Sequence, residues 1–203
     1  MRIAGFLEYA ALVVGGLGML ASHTFDQPKG FQLSLSVIGA GIVLGGLESI
    51  FTGRSGFRWA GDSGEAYAGA PAVVWGLMLL TAGCAVIGSA YLLAQGSWGS
   101  ATDYLVRRPG PALVVAGLLL AGAGFLLVLN PRSRGGVVWT LLVRVPKLGV
   151  GVVLLNLGYM GVVLGIWEWL DPRGFGQVAT TFSHTYDVNA FGRSWRGWFG
   201  LRG

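Results

Sequence analysis

Charge is what this sequence has least of. Only 11% of its 203 residues are Asp, Glu, Lys or Arg, against roughly 25% in an ordinary soluble domain. Hydrophobic residues make up 53%, and mean hydropathy is +0.64. A soluble globule could not cover that much apolar surface with so few charges, and a disordered chain needs the opposite composition. Cysteine is nearly absent. Cys84 alone excludes a disulfide framework and any multi-cysteine zinc or iron–sulfur site, and its neighbours Gly83, Ala85 and Gly88 suit a small mid-helix hydrophobe.

Signatures of catalysis are missing as well. There is no HExxH, no phosphate loop and no nucleophile elbow with triad partners. Ser36, Ser89 and Ser183 have no histidine and acid placed to activate them. The two histidines, His23 and His184, lie outside the apolar runs. No second axial ligand or CxxCH accompanies them, so haem or pigment ligation by His23 is the minor reading. His184-Thr-Tyr-Asp187 offers two metal ligands without a third. The expectation is a protein that is not an enzyme and holds no metal or cofactor.

What is present is glycine, 36 residues with no period of three that would suggest collagen, together with long apolar runs. A transmembrane helix needs about 20 mainly apolar residues. Five windows qualify, at 3–21, 32–51, 71–94, 110–129 and 147–170. The fold class expected is all-α, a polytopic helical membrane protein with about five spans and glycine-rich packing faces. Residues 1–170 form its transmembrane helical bundle, and 171–203 an aromatic and basic extramembrane or interfacial tail. A shorter run, Val137 to Val145, is closed by Arg144 and Pro146. It predicts an interfacial or re-entrant segment, or a kinked preamble to the fifth helix, and the alternative arrangements give four or six spans. Glu8 interrupts the first run and Met19-Leu20-Ala21 is a poor cleavage site, so an uncleaved first helix is expected rather than a signal peptide. Basic residues close to the spans divide seven against four. That excess favours a cytoplasmic N-terminus and an external tail.

The glycines carry a pattern. Gly151, Gly158 and Gly165 recur every seven residues in the fifth window with Gly161 alongside, and on a helix they share one face. Gly41 and Gly45 form a GxxxG in the second window, flanked by Gly39 and Gly46, and Gly117 precedes Ala121, Gly122 and Gly124 in the fourth. Lipid tails are as apolar as leucine, so helices in a bilayer associate by close packing at small residues. Such faces serve packing within the chain or receive a helix of another protein. An offset of 78 also aligns Gly39, Gly46 and Arg54 with Gly117, Gly124 and Arg132. The match has two readings, a duplicated two-helix unit or the coincidences of a Gly/Val/Leu-rich chain.

Among the polar residues inside the spans, Asn156, Glu8 and Glu48 stand out. Asn156 lies near the middle of the fifth, about 160° from the glycine seam. An amide there needs a partner, so it is expected to face another helix. Glu8 and Glu48 lie near one membrane surface and are read as interfacial acids paired with Arg2, Arg54, Arg144 or Lys147, or else as a proton or cation path. Glu168, between Trp167 and Trp169, reads as an ordinary interfacial acid. In the tail, Trp195, Trp198 and Phe199 alternate with arginines in a way that suits a bilayer interface or a partner protein; lipid headgroups explain those arginines without nucleic acid.

The expected function is therefore a non-catalytic accessory or scaffold subunit of a larger bacterial membrane protein complex, in the inner membrane. Its partners are other integral membrane proteins and the bilayer. The expected contact residues are Gly151, Asn156, Gly158, Gly161, Gly165, Trp195, Trp198 and Phe199. The alternative is a small proton- or cation-coupled transporter or channel using Glu8 and Glu48, and a lesser one is a pigment- or haem-associated subunit.

Overall fold

The structure is a computed structural model that describes residues 3–25, 27–54, 67–95, 104–105, 108–129 and 137–186. Trp195, Trp198 and Phe199 lie outside the described residues, as does the side chain of Glu8. The chain is a helical membrane protein. Its helices are α1 (Ile3–Thr24), α2 (Pro28–Thr52), α3 (Ala70–Gln95), α4 (Gly110–Leu129), α5 (Val137–Leu170) and α6 (Pro172–Tyr186). Among the described residues four stretches are long and apolar enough to cross a membrane: Pro28–Thr52, Ala70–Ala94, Gly110–Leu129 and Arg144–Leu170. A shorter apolar stretch, Ala10–Thr24, belongs to α1.

Glycine costs about 1 kcal/mol relative to alanine in a helix surrounded by water. In hydrocarbon every backbone N–H and C=O must be bonded within the segment, which leaves the helix as the only open choice and overrides that preference. The ends are set by residues that cannot continue. Pro28 opens α2 where its missing N–H costs nothing, and Gly53 closes it in the left-handed region at φ 59°. Beyond Gly53, the Gly69 amide donates to the Gly53 carbonyl at 2.8 Å and Arg54 pairs with Ala68, so the base of the α2–α3 connection is clamped by backbone bonds.

The structure places two further stretches. Val137–Val145 follows the preamble reading: it forms the first turns of α5, which runs 34 residues with Pro146 inside it. Proline removes one backbone bond there, beside Arg144 and Lys147 at the start of the apolar stretch Arg144–Leu170. The tail begins with a helix, α6. Asp171 caps it, its Oδ1 accepting from the Gly174 amide at 3.0 Å, and Pro172 fits the first turn. Phe175, Val178, Ala179, Phe182 and Tyr186 fall on one face of α6 by spacing.

Among the described residues each helix touches only its neighbours in sequence: α1 with α2, α2 with α3, α3 with α4, α4 with α5, and α5 with α6. The bundle expected from the sequence is thus a row one helix thick, with two broad faces open. Burial follows from that layout. The buried apolar side chains are Ala72, Ala90, Leu93 and Leu126, while large residues along every span are exposed. Such side chains suit a bilayer, whose lipid tails are as apolar as leucine.

Candidate functional site: the two faces of the fifth helix

α5 meets α4 through backbone. Gly110, Gly117 and Gly124 face Gly165, Gly158 and Gly151 in antiparallel order. A Cβ at Gly117 would lie 2.6 Å from the Gly158 carbonyl oxygen and 2.6 Å from the Val162 nitrogen, and one at Gly124 would lie 2.6 Å from the Gly151 carbonyl oxygen. A Cβ at Gly158 would run into the Ala121 amide nitrogen, with the Gly117 carbonyl oxygen 2.6 Å away. Only hydrogen fits at these crossings. Gly161 joins the same contact against the Cα of Gly117. The four α5 glycines expected to meet another protein are therefore occupied by α4, because α4 carries glycines at the same seven-residue spacing.

The same device recurs in the preceding pair of helices. Gly39 and Gly46 of α2 face Gly83 and Gly76 of α3, with carbonyl oxygens 2.6–3.0 Å from where a Cβ would be. α1 packs on α2 with a polar variant, Gly18 against the Ser34 hydroxyl and Gly30 against that of Ser22. The α3–α4 joint is made differently, by the Met78 side chain lying over Gly122.

Asn156 occupies the other face of α5. It is exposed, and its Nδ2 donates to the Val152 carbonyl of its own helix at 2.8 Å. Among the described residues no second helix covers it. An amide has two N–H groups and a carbonyl oxygen, so one donor and the acceptor still point outward in the middle of a membrane span. Beside it runs an open groove of about 420 Å³, walled by Leu118, Ala121 and Phe125 of α4 and by Asn156 and Tyr159 of α5.

An ion pair that sequence reasoning missed ties the far end of this hairpin. Arg108, just before α4, donates from Nη1 to Oε1 of Glu168 at 3.2 Å. The Glu168 side chain is 3% exposed and that of Arg108 46%. The other carboxylate oxygen, Oε2, is buried without a hydrogen-bond partner and lies against Gly110. Glu168 is thus a packed group joining two helices near the end of the span, and the hint in the sequence is a pair of arginines before one span and a lone acid at the end of another. One residue earlier, the Trp167 ring meets Phe175 edge to face at 5.9 Å, which docks α6 on α5.

Glu48 is half-buried near the end of α2. The antiparallel order of α1 and α2 brings position 8 to the same end of the row, where Arg54, Arg144 and Lys147 also lie. α3 and α4 intervene between α2 and the two basic residues of α5. No family model matches the chain, and neither a curated protein nor a solved structure does.

Proposed function

We propose that the protein is a non-catalytic accessory or scaffold subunit of a larger bacterial membrane protein complex. In this reading it resides in the inner membrane with its N-terminus cytoplasmic, and meets other integral membrane proteins through the outer face of α5 and the tail that follows. One observation carries it. The polar group deepest in α5, Asn156, faces out of the row with a donor and an acceptor left unsatisfied among the described residues. A polar side chain in hydrocarbon is costly and is normally turned toward another helix. The one-layer arrangement supports the same reading, since both broad faces stay open to neighbours. Trp195, Trp198 and Phe199 would add interfacial anchors, where large rings bury area at little entropic cost.

The test is purification in mild detergent followed by mass spectrometry of the companions. Wild-type protein should retain stoichiometric membrane partners. Asn156→Leu and removal of residues 193–203 should each reduce them without preventing membrane insertion. Unchanged partners in both variants would move the contact elsewhere, and their absence from wild type would remove the subunit reading.

A further inference from the structure

The residues around Asn156 form a ladder. Val152, Asn156, Tyr159, Val163 and Ile166 alternate steps of four and three along α5, and all are exposed, the four apart from Asn156 between 43% and 70%. Before them Gly149 has open space where a Cβ would be, and after them Leu170 is exposed. This is the a/d spacing with which one helix seats against another, and Asn156 holds an a position. The ladder lies away from the glycine seam, and α4 borders it only across the groove beside Asn156 and Tyr159.

We infer that the occupant of this face is a second copy of the chain, in a symmetric dimer whose two α5 helices run parallel. Here the outer face of α5 keeps the role proposed above and gains a named partner. Copies of one membrane protein insert in one orientation, so the twofold axis of a symmetric pair stands along the membrane normal. Each a-position residue then meets its own equivalent at its own depth. For a charged residue that meeting would repel. For Asn156 it completes the hydrogen bonding. One N–H of each amide is already given to Val152, and the other can reach the Oδ1 of the second copy, with the reciprocal bond closing the pair. A single Asn at an a position is also the residue best attested for fixing register and a two-stranded state. Tyr159, 70% exposed, has the reach to enter the groove beside Asn156 in the other copy, where Ala121 leaves room between Leu118 and Phe125.

The experiment uses purified full-length protein in liposomes at high dilution, with subunits counted by single-molecule photobleaching. Disulfide cross-linking is run in parallel on a Cys84→Ala background. Wild type should be dimeric. Asn156→Leu should weaken dimerisation about tenfold, as expected for loss of interhelical polar contacts, and Asn156→Gln should retain it. Val163→Cys should cross-link much faster than Leu77→Cys, which lies exposed on α3. Monomeric wild type, dimerisation unaffected by Asn156→Leu, or equal cross-linking at the two positions would each overturn the inference. Because no other protein is present, a monomer here alongside Asn156-dependent partners in native membranes would leave the subunit reading standing and reject only the second copy.

Discussion

The α2–α3 and α4–α5 hairpins solve one packing problem twice and finish it differently. In each, glycines seven residues apart on the first helix meet glycines seven apart on the second, in antiparallel register. Gly39 and Gly46 correspond to Gly117 and Gly124, and Gly76 and Gly83 to Gly151 and Gly158. Every one of these correspondences holds its crossing. The offset seen along the sequence is therefore also a correspondence in space. The difference lies in the third layer. In α4–α5 it is again Gly110 on Gly165, closed by the Arg108–Glu168 ion pair. In α2–α3 the equivalent place holds Gln32 and buried Ala90, and Gln32 donates from Nε2 to the Leu93 carbonyl at 2.8 Å. A neutral hydrogen bond does in the first hairpin what a charged pair does in the second. The lesson is that spacing specifies the contact, while the closing group specifies how much that contact depends on a single side chain.

The comparison can be broken at its tightest crossings first. Gly158→Ala sets a methyl against the backbone of α4 on all sides, with no flexible side chain to yield. It should destabilise the α4–α5 hairpin by about 2–3 kcal/mol, the upper part of the overpacking range. Gly39→Ala meets the Ile87 side chain as well as backbone, and should cost about 1–2 kcal/mol. Steric-trapping or reversible detergent unfolding of both variants checks the order, and equal costs would show that the two seams are not distinguished by what surrounds them.

The closing groups sharpen the contrast. Arg108→Met leaves the buried Glu168 carboxylate without its cation. A fully buried pair broken in this way costs 3–5 kcal/mol, and because Arg108 is half-exposed the expected loss is about 1–3 kcal/mol. The double variant Arg108→Met with Glu168→Gln should recover part of it, as a double-mutant cycle would measure. Gln32→Leu, the counterpart in α2, should cost only about 1 kcal/mol, one neutral hydrogen bond.

The joint between the hairpins gives the smallest effect. A Cβ at Gly122 meets only the Met78 side chain, which is unbranched and readily repacks. Gly122→Ala should change stability by less than about 1 kcal/mol. A loss as large as that at Gly158 would mean that α3 and α4 are held as rigidly as either hairpin.

Much of this was legible in the residues. Unbroken apolar runs marked the spans, since hydrocarbon leaves the backbone no alternative to helix. The glycine heptad of α5 was legible from its spacing. What it faced was not, because the matching series at Gly110, Gly117 and Gly124 becomes a partner only once the chain turns back with that register. Pro146 was misleading, since a proline that would end a helix in water is carried through inside a long one here. α6 was hidden by Gly174 and Gly176 and by the poor helix formers Thr180, Thr181 and Ser183. Glu168 looked like any acid at a membrane surface, and nothing local revealed that a residue sixty positions away would bury it.

The central claim is that the helices form a row with the two hairpins side by side and the Asn156 face of α5 outward. A spin-label distance tests it most directly. Nitroxides at Leu44→Cys of α2 and Leu157→Cys of α5, both exposed, would be placed on a Cys84→Ala background in nanodiscs, diluted with unlabelled protein. Adjacent packed helices lie about 8–10 Å apart. Three steps along a row therefore predict a separation of about 24–30 Å between the two sites. A distance under about 15 Å, which only a closed bundle with α2 against α5 would give, would contradict the account.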